Sequence, residues 1–473
     1  MQLTEATRFT PSPFHSIEKF FKACRSSLFR APLQGTSALI PVGVALAALV
    51  IGFAIGEGRW VLLVPLGFMI CVFFWPVPAA LGSFAFLVPF ENASAIPGTA
   101  RSFSVTTAVG LAAAVILLTV AFLGHRFCRP PRSMLWWGLL VMWAAASTFW
   151  AADPHVATRG LPAALGLVLL YFATVSVRIT NDELQWILVA GIVGGAVAAA
   201  IASYQFYHGV FWAVDTNRGS LVLGSESADP NAFATTLLLP FSLTIGYCLS
   251  SCGWFKKMLA GAIAVLLVLG VLVSMSRSAF VALFVIGLIY LYRLRLRRKM
   301  IAVLSFLLLP LLVVPHSFFA RLQDATATRG AGRLDIWQAG LVLLKTYGVW
   351  GAGLDNFADV YSRVAGYASH FMGYTRDSHN TYLQIGVDLG VIGLFFFFGA
   401  ISSQFRALET HSKSVHRYMP LVACEATCWA TMVCCVFANL IWRKVFWLPW
   451  MLMAVSVRLR GIEKSSIKVE DAS

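Results

Sequence analysis

Residues 258–299, MLAGAIAVLLVLGVLVSMSRSAFVALFVIGLIYLYRLRLRRK, decide the fold class of this chain. Two apolar runs, 258–275 and 279–292, flank a short polar turn, SMSRSAF. Lys256 and Lys257 precede the first run, and the basic cluster RLRLRRK closes the second. A run of about 18 apolar residues covers about 30 Å of hydrocarbon when helical. A barrel strand would instead alternate apolar and polar positions, and these runs do not. The stretch therefore reads as a helical membrane hairpin. Basic residues collect in cytoplasmic segments, so both ends of the hairpin belong inside and the turn carrying Arg277 belongs outside.

The rest of the chain extends the pattern. Of 473 residues, 59% are hydrophobic and 12% charged, against about 25% charged in globular proteins, so the expected class is an all-α polytopic membrane protein. The net charge of +15 is explained by the same inside bias, and no nucleic-acid partner is expected. About 35 mostly polar or mixed residues precede the first apolar run, too many for the compact start of a cleavable signal peptide. Candidate spans lie at about 37–56, 60–75, 77–90, 103–124, 134–151, 160–177, 184–207, 230–250, 258–275, 279–292, 300–316, 380–402, 418–440 and 443–457. Segments 77–90 and 279–292 are short enough to be half-helices or tilted, so 12 to 14 transmembrane helices are expected, with both termini inside. The division is a cytoplasmic N-terminal segment (1–36), helices with short loops (37–316), a long outer segment (317–379), C-terminal helices (380–457) and a cytoplasmic tail (458–473). No disulfide is expected, because none of the nine cysteines falls in an expected outer loop.

Two outer segments stand out, about 208–229 and 317–379. A connection longer than about 15 residues is usually functional or disordered. The second holds DIWQAGLVLL, an amphipathic pattern expected at the outer membrane surface, followed by the glycine turns of GVWGAGLDNF. It reads as a small folded cap.

Charges at a membrane edge are expensive and ask for a reason. Arg277 is either a snorkelling anchor or an anion clamp, and its neighbours Ser274, Ser276, Ser278 and Ala279 are small enough to let a ligand headgroup approach. Arg333 in GAGRLDIWQAG either pairs with Asp335 or lipid phosphate, or is a second donor to a ligand phosphate. His379 in RDSHNTYLQIGVDLGVIG is either a polar cap or a base, since imidazole titrates near neutrality. Arg376, Asp377, Asn380 and Asp388 surround it in sequence and are candidates to orient it or to hold substrate. In ADPNAFA, Asp229 and Pro230 make a helix start, and Asn231 is placed to face a cavity; Arg218 is another outer arginine. The acids that would hold a divalent ion on a pyrophosphate come as pairs. Glu57 and Glu91 stand alone, so no metal is expected, and no nucleotide-binding glycine motif occurs.

SRSAF, DPNAFA, GRLDIWQAGL with GVWGAGLDNF, and DSHNTYLQIGVDLGVIG stand here in the order seen in the O-antigen ligase and polymerase superfamily. Over roughly residues 210–400 the chain resembles that superfamily; before that it is similar only in being multi-span. The resemblance implies a glycosyltransferase-C-like fold in a bacterial inner membrane, with a periplasmic active site on the 317–379 loop. It implies an undecaprenyl pyrophosphate-linked glycan as donor, lipid A–core as acceptor, and no cofactor or metal. By position, His379 takes the role of general base, and Arg277 and Arg333 those of pyrophosphate binders, for an inverting transfer. Family ligases often carry a polar residue two places after the histidine; here Asn380 is adjacent and Thr381 takes that place. A polymerase of the same superfamily is the alternative within the class. A transporter of lipid-linked oligosaccharides is the alternative outside it, although the duplicated halves common in transporters are not evident.

Overall fold

A computed structural model describes residues 71–93, 104–213, 217–223, 226–250, 253–295, 332–367, 370, 373–409 and 418–470. The chain divides into two units, Met1–Pro76 and Val77–Ser473, and of the first only 71–76 are described. The candidate spans 37–56 and 300–316, most of 60–75 and the beginning of the long outer segment (317–331) lie outside the described residues.

The second unit is a helical bundle. Its helices are α1 (Pro76–Leu87), α2 (Val105–Phe122), α3 (Ser133–Ala146), α4 (Pro154–Ser176), α5 (Asn181–Tyr207), α6 (Pro230–Thr236), α7 (Leu238–Leu249), α8 (Trp254–Val273), α9 (Arg277–Leu294), α10 (Arg333–Tyr347), α11 (Phe357–Tyr361), α12 (Thr381–Asp388), α13 (Gly390–Glu409), α14 (Met419–Cys435) and α15 (Lys444–Glu470). A two-residue hairpin, β1 (Val222–Leu223) with β2 (Glu226–Ser227), is the sole sheet among the described residues. Among the described residues, seven helical segments are long and apolar enough to cross a membrane: α2, α4, α5, α6 with α7, α8, α9 and α13. Shorter apolar helices run over Pro76–Glu91, Ser133–Phe149 and Met419–Cys435. The spans are apolar on their outer faces too. Val115, Leu135, Met142 and Phe395 are all more than 60% exposed, as befits helices whose outer face meets lipid. The fold is thus the all-α polytopic one expected.

The loops separate to two ends of the bundle. At one end Arg126 pairs with Glu183 at 2.5 Å, Tyr418 donates to Asn181 at 2.9 Å, and Arg458 donates to the Val175 carbonyl at 2.6 Å. These ties join segments that the expected spans, with both termini inside, place on the cytoplasmic side. Just inside this end, Arg293 of α9 grips Glu425 of α14 through both nitrogens that face it. At the other end lie the α8–α9 turn, the 208–229 segment and the cap.

The cap has its own core. Ile336, Ala339 and Leu343 of α10 pack with Phe357, Val360 and Tyr361 of α11 and with Leu383 and Val387 of α12. The amphipathic face of α10, expected against the membrane surface, is therefore covered largely within the cap. Leu334 and Leu341, on its other side, are more than half exposed. Tryptophans fasten the cap to α3: Trp350 stacks on Trp143 at 5.6 Å, and Trp143 donates to the Leu389 carbonyl at 2.8 Å.

One expected span is corrected. Residues 380–402 form two helices, α12 and α13, broken at Leu389–Gly390. Gly390 has φ +70°, and a Cβ there would collide with the Val349 carbonyl. Val391 N–H donates to the Gly348 carbonyl at 2.7 Å. The cap turn thus ends the first helix, and the apolar face of α12 completes the cap core.

Candidate active site

Two helices at the cap end begin with arginine. Arg277 is the first residue of α9 and Arg333 the first of α10. Neither N-terminus has a side-chain cap: Ser276 makes no capping bond, and Gly332 (φ +76°) has no side chain to make one. An uncapped helix start leaves backbone N–H groups free for an anion and carries the positive end of the helix dipole. Burial, together with the positive charge of Arg277, pulls the Arg333 guanidinium below its ordinary pKa, while Asp229 acts the other way. Two guanidinium groups are therefore held within electrostatic range of each other, and among the described residues neither has a hydrogen-bond or ion-pair partner. Asp335, a possible partner for Arg333 by sequence, instead faces His370, whose Nδ1 lies at 3.4 Å.

Arg218 supports this pair from below. It is buried; its Nε donates to the Ser274 carbonyl at 3.0 Å and its Nη2 to Asn231 Oδ1 at 2.9 Å. It thus ties the 208–229 segment to the start of α6 and to the turn that presents Arg277. Met275 in that turn has φ +52°, a conformation costly for a residue with a long side chain.

His379 is joined to the arginines through α10. Trp337 lies one turn after Arg333, and its Nε1 donates to the Ser378 carbonyl at 3.1 Å. His379 follows, exposed, with φ +47°. Asn380 caps α12, its Oδ1 accepting from the Tyr382 and Leu383 N–H groups at 3.0 Å each. Thr381 holds the 438–440 turn, donating to the Ala438 carbonyl at 2.7 Å and accepting from Leu440 N–H at 2.9 Å. The histidine thus sits on a loop pinned on both sides.

The remaining expected residues fall on the histidine side. Asp377 is exposed and accepts from Ser378 N–H at 2.9 Å. Arg376 is exposed. Asp388 is buried, takes a hydrogen bond from Gln384 at 2.7 Å, and is pushed well above the usual carboxylate range by burial and by Asp355. It is a buried support rather than a surface ligand.

Three residues missed in the sequence complete the picture. Asp355 lies in the cap turn at φ +58°; burial and the Asp377 carboxylate push it up to about 6, against the pull of Arg443. Arg443 and Lys444 lie in the turn before and at the start of α15, and Lys444 pairs with Glu91 at 2.8 Å. Two adjacent basic residues in a turn expected outside depart from the inside bias, and that departure was the available signal. Among the described residues no three His, Cys, Asp or Glu side chains gather as a metal site.

The end of the bundle thus presents an arginine pair at two helix starts, without a hydrogen-bond or ion-pair partner among the described residues, and a histidine on a loop pinned to the second of these helices. No curated protein matches the chain. Residues 262–398, which run from within α8 into α13 and include Arg277, Arg333, Asp355 and His379, match the family described as O-antigen ligase, consistent with the resemblance to the O-antigen ligase and polymerase superfamily.

Proposed function

We propose that this protein is an O-antigen ligase, moving a glycan from undecaprenyl pyrophosphate to a sugar hydroxyl of lipid A–core at the outer face of a bacterial inner membrane. The observation that carries this is the Arg277–Arg333 pair, two guanidinium groups close enough to repel and without a protein partner among the described residues. Such a pair is stabilised by a multiply charged anion, and arginine suits phosphate oxygens geometrically.

The chemistry follows from that placement. The pyrophosphate of the donor rests on Arg277, Arg333 and the two uncapped helix starts. The acceptor hydroxyl approaches from the His379 side. Its oxygen attacks the anomeric carbon, and its proton passes to the imidazole. The bond from that carbon to the phosphate oxygen breaks, and the electron pair leaves with undecaprenyl pyrophosphate. The arginines offset the charge that grows on the leaving oxygen, so transfer needs no metal ion. In-line attack inverts the anomeric configuration. Arg218 and Asn231 hold the Arg277 turn in place, and Asn380 caps the helix that follows the histidine.

Lipopolysaccharide from a deletion strain separates ligase from polymerase. Loss of all polymer from the core, with long lipid-linked polymer accumulating, is the expected result. A single repeat left on the core would assign the chain to the polymerases instead.

A further inference from the structure

The turn Gly351–Asn356 is among the most tightly held parts of the cap. Ala352 N–H donates to the Val387 carbonyl and Gly353 N–H to that of Asp388; Leu354 N–H donates to Ser147 Oγ; the Asn356 side chain accepts from Asp153 N–H at 2.6 Å. This framework presents one side chain that it does not use. The Asp355 carboxylate lies over Gly160 of α4, where a Cβ would collide with it. Among the described residues it has no hydrogen-bond or ion-pair partner. A carboxylate that is mostly withdrawn from water without a protein partner is costly, so its retention asks for a ligand.

The charges around it say which ligand. Asp377, Asp388 and Arg443 are the charged groups that face it. The Asp355 and Asp377 carboxylates repel a phosphate, so the donor pyrophosphate belongs away from them, on Arg277 and Arg333. Asp377 is two residues from His379, so the carboxylates lie toward the histidine loop. The molecule on that side is the one that gives up a proton, the acceptor glycan, and its hydroxyls are hydrogen-bond donors.

We propose that Asp355 is an acceptor-binding residue: its carboxylate receives a hydrogen bond from a hydroxyl of the acceptor glycan, in a niche floored by Gly160 and bounded by Asp377 and Arg443. This rests on the glycosyl-transfer reading above. Because Asp355 is pushed up to about 6, acceptor binding weakens as pH falls below that value, where the carboxyl group takes a proton and becomes a weaker, uncharged acceptor.

The test uses the full chain purified in detergent, with lipid A–core lacking polymer as the acceptor probe and a lipid-linked glycan as the donor probe. Binding of each, and transfer between them, are measured for wild type and Asp355→Asn between pH 5 and 8. A hydrogen bond to a charged group implies roughly a 10- to 100-fold loss of acceptor affinity in Asp355→Asn. Donor affinity stays unchanged, and the pH dependence near 6 disappears. A melting temperature no lower than wild type shows that the variant is folded; if it is lower, Gly160→Ala, which crowds the same niche, must give the same selective loss of acceptor affinity. Unchanged acceptor affinity, or an equal loss for donor, overturns the proposal. Wild-type protein that binds lipid A–core through Asp355 yet transfers nothing leaves the subsite standing and removes the ligase reading. Normal transfer with Asp355→Asn indistinguishable from wild type does the reverse.

Discussion

Replacing Asp355 by asparagine should stabilise the protein at neutral pH and leave its stability in acid unchanged. Burial and Asp377 raise this carboxyl group from 3.8 to about 6. Each unit corresponds to about 1.36 kcal/mol, so ionising Asp355 costs the fold at most about 3 kcal/mol. The folded-state value lies above the unfolded one, so the folded chain holds the proton more tightly. The penalty is absent below about 3.8, grows as pH rises from there to about 6, and is constant above. Asparagine has nearly the same shape and no charge, so it removes the penalty. Thermal unfolding of the detergent-solubilised full chain between pH 3.5 and 8 reads this directly. The gain expected is several degrees in Tm at pH 7, shrinking to nothing near pH 3.5. A lower Tm at pH 7, or a gain independent of pH, would refute the argument, because neither follows from a penalised charge. Together with the loss of acceptor affinity argued above, the variant would be a more stable and poorer enzyme, the usual trade at a functional site.

Further outcomes follow from other named contacts. Glu425→Gln leaves Arg293 nearly buried, with its side chain 13% exposed, beside an uncharged partner; a loss of about 3–5 kcal/mol in chemical-denaturant unfolding is expected, and Arg293→Met with Glu425→Leu should recover most of it. Gly390→Ala forces a side chain into left-handed backbone and against the Val349 carbonyl, so destabilisation of at least about 1–3 kcal/mol and faster proteolysis within the cap are expected. Arg218→Ala frees the turn that presents Arg277 and strips partners from Asn231 and the Ser274 carbonyl; a lower melting temperature and a raised donor KM, with acceptor KM unchanged, are expected.

Much of this was legible in the sequence, and the parts that were not have physical reasons. The hairpin at 258–299 gave away the fold because lipid demands long apolar helices and basic residues mark one side. Arg277 and Arg333 were conspicuous as membrane-edge charges, and their placement at two helix starts agrees with that prominence. The break at Leu389–Gly390 was hidden because both of its sides are apolar: one faces the cap core and the other the bundle, and hydropathy does not tell them apart. Asp355 was read past because its neighbours, Gly351 and Gly353, explain the turn by themselves; its isolation appears only when Gly160 and Asp377, distant in sequence, come beside it. Arg443 was masked by the aromatic and aliphatic residues around it. Asn380, considered as a ligand, is used as a helix cap, a role its place before TYLQIGVD already permitted.

The central claim is that the Arg277–Arg333 pair holds a pyrophosphate leaving group while His379 takes the acceptor proton. The measurement that tests it most directly is transfer by the purified full chain, from an undecaprenyl pyrophosphate-linked glycan to lipid A–core, with a chelator present and no nucleotide. The account predicts transfer with inversion at the anomeric carbon, reduced about 100- to 1000-fold in Arg277→Gln, in Arg333→Gln and in His379→Ala. A product retaining the donor configuration, a requirement for ATP, or full activity in Arg333→Gln would contradict it.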